Sequence, residues 1–453
     1  MQPLPKEFEE QMKHLLGEAG FFAYLDALNQ PYTRALRVNL LLRPDGTPPC
    51  PIEGLGAPVP WAKGAYFVEG DARPGLSPLH EGGLFYMQEP SALTAVTALD
   101  PQPGERVLDL CAAPGGKSTQ IAALMAGRGL LCCNEPIPSR AQILSRNIER
   151  MGVRNAVVLS AMPDALAPRF PAFFDRILVD APCSGEGMFR RQPEARDEWD
   201  ADAPRRCADR QMEILAQAAK MLRPGGTMVY STCTFNDTEN EGVLRRFLAL
   251  HPEFSLVPFA LPGLPEAKDG YLHLYPHEMR GEGHFVSRLK KADGADEADA
   301  PVQAAPQRKA PARAAAKGKA PAPIALPDVF SDAFAPGRLY TAGDALWMLP
   351  EGISIERLSG LRVLRTGLLL AHAEGKRSEP DHALAMALRP EEAARTASLT
   401  QTQALAYQAG ETLSLGDLPG GYTLLCCEGV SLGWGKQAGG LMKNHYPKGL
   451  RRR

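Results

Sequence analysis

RVLDLCAAPGGKSTQIAALM (residues 106–125) is the stretch whose reading decides the fold. Residues 106–110 form an apolar run of buried-strand character, and KSTQIAALM (117–125) has helical spacing. Between them, Ala112, Ala113, Gly115 and Gly116 make a small-residue turn. Backbone N–H groups lie open at such a helix start, where a cofactor can approach the main chain closely. The layout is that of a Rossmann turn without the literal G-x-G-x-x-G. Glu135 ends a second strand, GLLCCNE (129–135), near the spacing of about twenty residues expected for a carboxylate that binds ribose hydroxyls. Together these pieces predict a nucleoside-containing cofactor.

Working outward, strand-like and helix-like runs alternate over 76–291, which predicts a parallel α/β sheet. A helix over 139–151 is followed by strands AVVLS (156–160) and DRILVDAPC (175–183). A helix near 205–222 stops at Pro224-Gly225-Gly226, and TMVYSTC (227–233) is the fifth strand. YLHLYPHE and GHFVSRLKK then read as a hairpin. Upstream, residues 1–75 are a small α+β segment, with Phe8, Met12, Leu15 and Leu16 at helical spacing and LRVNLLL (36–42) as a strand. Downstream, an acidic ADGADEADA run meets 301–325, which carries ten Ala, five Pro and five Lys/Arg without an acid. Such a segment buries too little apolar surface to fold, so 292–325 is expected to be a linker. Core-forming residues return over 326–453.

The 453 residues hold 50 Lys+Arg against 52 Asp+Glu, for a net charge of −2, and 44% are apolar. Fibrous, wholly disordered and disulfide-scaffold classes are thereby excluded. None of the nine cysteines sits in a C-x-x-C pair, so no metal site is expected. The doublets Cys132-Cys133 and Cys426-Cys427 lie in strand-like runs, where alternation sends neighbours to opposite faces, and buried structural roles are expected for all four. Neither a leader nor an apolar stretch of about 18 residues is visible, which points to the cytoplasm. A near-neutral total argues against a nucleic-acid partner only until the charges are placed. Residues 436–453 hold six Lys/Arg and no acid. With Trp434, His445 and Tyr446 nearby, that tail is expected to touch RNA. Arg190-Arg191 and Arg205, Arg206 and Arg210 are weaker phosphate candidates.

Two further motifs carry chemistry. ILVDAPCSGEGMFRR (177–191) delivers Asp180 and Cys183, and YSTCTFNDTENE (230–241) delivers Cys233, to the carboxyl edge where open α/β sheets bind ligands. Two cysteines on neighbouring loops beside a carboxylate predict thiolate chemistry. Sequence physics does not choose between the two thiols.

CAAPGGK, DAPCSGEGMFR and STCT resemble the motifs of the NOL1/NOP2/Sun family of S-adenosylmethionine-dependent RNA cytosine-5 methyltransferases. More narrowly, the chain resembles the RsmF-type bacterial 16S rRNA methyltransferases. The resemblance implies an N-terminal RNA-binding segment at 1–75, a class I, Rossmann-like methyltransferase core at 76–291, an RsmF-type C-terminal domain at 326–385 and a PUA-like RNA-binding domain at 386–453. It implies that Cys233 is the nucleophile toward cytosine C6 and that Cys183 assists breakdown of the adduct. Cys111, Ala112, Ala113, Pro114, Gly115, Gly116, Lys117, Glu135, Arg140 and Asp180 carry over as cofactor groups. Asp180 is also expected at the base edge, and Lys117 near thiolate or substrate charge. Where the family commonly has an acid after the third strand, this chain has Met162, with Asp164 two residues on. The expected partner is 16S rRNA or the small ribosomal subunit, acted on by a monomer. Alternatives are a tRNA cytosine-5 methyltransferase, a non-catalytic RNA-binding assembly factor and a small-molecule methyltransferase.

Overall fold

The computed structural model describes residues 4–294, 324–374 and 377–451. The expected linker at 292–325 therefore lies almost wholly outside the described residues. No helix among the described residues is long and apolar enough to cross a membrane.

Helix α1 (Lys6–Asn29) buries Phe8, Met12, Phe21, Tyr24 and Leu28 on one side and kinks at Gly17, whose φ of 67° favours glycine. Strands β1 (Arg34–Val38), β2 (Leu55–Pro58) and β3 (Ala65–Val68), the short helix α2 (Pro78–Glu81) and β4 (Phe85–Gln88) follow. They form a four-stranded sheet in the order β2-β3-β1-β4. Since β4 pairs with β1, the N-terminal unit extends past the expected boundary at residue 75.

After α3 (Thr94–Leu99) comes the alternating run: β5 (Arg106–Asp109), α4 (Gly116–Leu124), β6 (Leu130–Asn134), α5 (Pro138–Arg150), β7 (Ala156–Leu159), α6 (Pro163–Leu166) and β8 (Phe174–Asp180). It continues through α7 (Glu194–Glu198), α8 (Ala203–Met221), β9 (Leu222–Thr232), α9 (Glu241–Leu250), β10 (Phe254–Leu256), β11 (Tyr271–Leu274) and β12 (His284–Lys291). Strands β7-β6-β5-β8-β9 are parallel, and β12 joins antiparallel to β9. Pro224-Gly225-Gly226 does not merely stop a helix: the strand begins at Leu222, and register jumps from Phe174↔Leu222 to Arg176↔Thr227 across those residues. Proline cannot donate to a ladder, so the chain bulges there. Side chains of opposite parity enter two cores, one on each face of the sheet. Cys133 joins Val107, Val158 and Leu178, while Cys132 joins Leu108, Val157 and Ile177.

The C-terminal region adds β13 (Arg338–Ala342), β14 (Ala345–Leu349), α10 (Ile355–Leu358), β15 (Val363–Arg365), β16 (Leu368–Glu374), β17 (Arg377–Pro380) and α11 (His382–Ala387). Next come β18 (Thr396–Ser398), α12 (Gln401–Ala409), β19 (Gly421–Cys427), β20 (Val430–Ala438) and β21 (Leu441–Asn444). Strand β15 leaves its own unit and pairs with β7 at the edge of the catalytic sheet. The last sheet shares a core with the N-terminal unit, where Leu36, Leu79 and Phe85 meet Tyr407, Leu425 and Leu432. The two ends of the chain thus clasp one side of the molecule.

Candidate active site

Strands β5 and β8 are neighbours whose following connections run to opposite sides of the sheet. That is the switch point at which an α/β sheet opens a crevice beyond its strand ends. The turn after β5 is fixed from three sides. Ala112 N–H donates to Asn134 O (2.9 Å), Asn147 Nδ2 to Pro114 O (2.9 Å) and Arg140 Nη2 to Ala113 O (3.2 Å). Gly115 needs its φ of 113°, and a Cβ there would lie 3.2 Å from Leu144 Cδ1 and 3.3 Å from Asn147 Cβ. A Cβ on Gly116 would lie 3.2 Å from Tyr86 and 3.3 Å from Gln88. Gly115 is therefore favoured by its backbone conformation, and a side chain at either glycine would press on α5 or β4, which the sequence did not indicate.

Beneath the turn, Asp109 is fully buried and accepts from Ser118 Oγ at 2.6 Å. Burial pushes its carboxyl up to about 7, with Ser118 opposing. Lys117 reaches across the crevice to Asp180, Nζ to Oδ2 at 2.8 Å. The other oxygen accepts from Ser231 Oγ at 2.8 Å and lies 3.5 Å from His284 Nε2. Burial alone would raise Asp180, but Lys117 and His284 outweigh it and hold the carboxylate well below its usual range. Burial likewise works to lower Lys117, and Asp180 more than offsets it. His284, on β12, has its pKa lowered by burial and by Lys117. Neither it nor Ser231 was singled out from the sequence.

The two motif cysteines meet here, with Cys183 Sγ and Cys233 Sγ 3.3 Å apart. The hydrogen bond with Cys233, then burial, pushes the Cys183 thiol well up. Cys111 is a thiol pushed up by burial. A second group missed from sequence surrounds the pair: Ser184, Glu186, Asn236 and Glu239 link the two loops by hydrogen bonds. The signal was present, since a glutamate follows each cysteine within its own motif.

The residues present fit a nucleoside-containing cofactor. Glu135 is buried at the end of β6, where Ile137 N–H donates to it (3.0 Å) and Arg140 pairs with it (3.3 Å). On either side of that carboxylate, Ile137 and Met162 are large apolar side chains left 50% and 61% exposed at the ends of adjacent strands. A flat purine ring would cover both. Asp164 is exposed.

Two RNA expectations need correction. Arg190 is no phosphate contact: it is buried in a two-point ion pair with Glu282 (2.7 Å each) and donates to Ala27 O (2.7 Å), bracing α1 against the cysteine loop. Trp434 and Tyr446 are no stacking platforms: both are buried, and Trp434 Nε1 donates to Asp381 O at 2.8 Å. Trp434 lies on the core face of β20, and Tyr446, just past β21, packs against Tyr407 and His382, which charge counting along the tail does not reveal. Arg191, Arg210, Lys443 and Lys448 are exposed. Arg205 and Arg206 are exposed and paired with Asp202 and Asp200.

A family model described as 16S rRNA methyltransferase RsmB/F matches residues 96–290. Models described as the N-terminal domain of 16S rRNA methyltransferase RsmF, the RsmF first C-terminal domain and the RsmF PUA domain match 4–90, 327–388 and 394–452. The chain is similar to the ribosomal RNA small subunit methyltransferase F of Erwinia tasmaniensis, at 34% identity covering 98% of this chain and 96% of that protein. It is similar at 35% identity to the protein of the same name from an Enterobacter species, covering 98% and 95%. Among solved structures, a methyltransferase homologue from Pyrococcus horikoshii is 30% identical with a TM-score of 0.54, covering 63% of this chain and 95% of that one.

Proposed function

The chain belongs to the 16S rRNA methyltransferase RsmB/F family, and from that premise we propose that it methylates C5 of a cytosine in 16S rRNA, using S-adenosylmethionine. The observation that carries the reading is the thiol pair, Cys183 and Cys233, 3.3 Å apart beside the Lys117–Asp180 ion pair.

Glu135 would accept the ribose hydroxyls, Ile137 and Met162 would offer apolar surface to the purine, and the turn from Cys111 to Lys117 would line the rest of the cofactor's site. Arg140 orients Glu135. When bound, the cofactor supplies the electrophilic methyl group that an activated C5 takes up. Cytosine C5 is too weak a nucleophile until C6 carries a substituent that makes C5 enamine-like. Cys233 provides it: its thiolate adds to C6, and the nearby Lys117 ammonium favours the negative sulfur. Asp180, held ionised, accepts from the amino edge of a flipped cytosine and fixes the ring. In the release step the C5–H bond gives its proton to water and its electron pair to a C5=C6 double bond. The C6–S bond breaks with its pair returning to Cys233 Sγ, which the Cys183 thiol stabilises by donating its hydrogen bond. At 3.3 Å the Cys183 Sγ is close enough for that donating role.

RNA engages the exposed Lys443 of β21 and Lys448 just beyond it, together with the exposed Arg191 of the loop that follows Cys183. The reading takes the enzyme to act as a cytoplasmic monomer. The test uses labelled cofactor and small-subunit RNA. Cys233→Ala is expected to abolish turnover, and Cys183→Ala to accumulate a covalent RNA adduct stable to denaturant. Bisulfite mapping of 16S rRNA from cells with and without the enzyme then locates the cytosine. Full activity of Cys233→Ala, or an unchanged map, would refute the reading.

A further inference from the structure

Two buried carboxylates tie the cysteine loops together in opposite directions. Glu186, three residues beyond Cys183, accepts from the backbone N–H groups of Phe235 (2.8 Å) and Asn236 (3.1 Å), just past Cys233. Glu239, six residues beyond Cys233, accepts from the Ser184 N–H at 2.9 Å and from the Ser184 hydroxyl, next to Cys183. Each loop therefore sends a carboxylate across to the backbone just past the other loop's cysteine, at Ser184 in one direction and at Phe235 and Asn236 in the other. Asn236 Nδ2 sits between the two, 3.1 Å from Glu186 Oε1 and 2.8 Å from Glu239 Oε1. Gln11 of α1 donates to Glu186 (3.0 Å) and Gln211 of α8 to Glu239 (2.9 Å), so helices on both sides anchor the arrangement. Both glutamates have no solvent exposure, and the donors named are all neutral.

Burying two carboxylates close to one another is unfavourable, and ordinary loop packing achieves the same closeness with apolar side chains. What carboxylates add is direction: each accepts several N–H groups at once and so fixes the backbone beside a sulfur in orientation as well as in distance. We propose that Glu186, Asn236 and Glu239 are positioning residues, a reciprocal clamp that keeps the Cys183 thiol within reach of Cys233 while RNA is bonded to it. The proposal rests on the methylation mechanism given above. It makes a distinction that mechanism does not: addition to C6 needs only the Cys233 sulfur, whereas release needs both sulfurs in register. Loosening the clamp therefore slows release more than attack.

The test is a single-turnover assay of the full chain with labelled cofactor and small-subunit RNA, reading covalent adduct and released methylated RNA separately. Glu186→Gln and Glu239→Gln keep shape but turn an amide toward N–H donors; Asn236→Ala is the milder variant should either glutamine variant not fold. Each is expected to raise the steady level of trapped adduct about tenfold, the scale of a small misplacement at a reacting centre. Adding Cys233→Ala to each should erase the adduct. Leu432→Ala, in the distant core shared by the two ends of the chain, serves as a control of comparable melting temperature. Equal slowing of adduct formation and release, or no more adduct than in the control, would overturn the clamp. If Cys183→Ala also forms no adduct, the covalent mechanism fails first, and the clamp falls with it.

Discussion

Lys117→Met is the perturbation that most directly tests the electrostatics of the crevice. At 2.8 Å the Nζ–Oδ2 pair is worth ~6 kcal/mol of attraction with an effective dielectric constant near 20, before desolvation is counted. The methionine variant leaves the Asp180 carboxylate nearly buried with only Ser231 and His284 on its other oxygen. Breaking a buried pair by removing one partner costs roughly 3–5 kcal/mol. Asp180 keeps 28% side-chain exposure and the Ser231 hydroxyl as a donor, so about 3 kcal/mol is expected near pH 7.5. The pH dependence carries a sign. In the wild type the lowered Asp180 pKa contributes stability above its unfolded value of about 3.9, and that stability is lost as pH falls through the folded value. Without Lys117, burial drives the carboxyl upward, and protonation relieves the uncompensated charge. The deficit of Lys117→Met should therefore shrink as pH falls below about 5. Urea unfolding followed by circular dichroism, run on both chains from pH 7.5 to 4.5, measures this. A deficit within ~0.5 kcal/mol of zero at pH 7.5, the spread of ordinary surface changes, or one that stays flat with pH, would refute the reasoning.

Asp109, raised to about 7, binds a proton in the folded state that the unfolded chain releases near pH 4, so it makes stability fall as pH rises between those values. Asp109→Asn should remove that slope, up to about 1.4 kcal/mol per pH unit, in the same unfolding series. Glu135→Ala should weaken binding of the cofactor product at least tenfold, about 1.4 kcal/mol or more, by calorimetry. Met162→Ala should weaken it by roughly threefold, the effect of losing part of one apolar contact surface. Arg190→Ala should destabilise the fold by about 3 kcal/mol and leave the salt dependence of RNA binding unchanged, whereas losing Lys443 or Lys448 should lower that slope by about one each.

Much of the chemistry was legible along the chain because it depends on local order. A strand, a small-residue turn and a helix in sequence define the cofactor crevice, and Glu135 falls at the right distance only because one strand-helix-strand unit has a nearly fixed length. Cys132-Cys133 was legible for the same reason, since alternation is a property of one strand. The clamp was not. Glu186 and Glu239 are 53 positions apart, and nothing local says that each reaches past the other's cysteine. Arg190 and Trp434 misled for the converse reason: a charge or a ring has the same composition whether it meets water, an acid or a core.

By itself the sequence determined the class of fold, the family, and the two loop cysteines on which the proposed mechanism rests. It left open how close the two thiols come and why the loops that carry them stay together. Those are decided by distances between segments far apart in the chain. Parallel strands β8 and β9 bring Cys183 and Cys233 to 3.3 Å, and the hydrogen bond between them, then burial, raises the Cys183 thiol. An interaction energy depends on separation and dielectric, and both exist only once the sheet has closed.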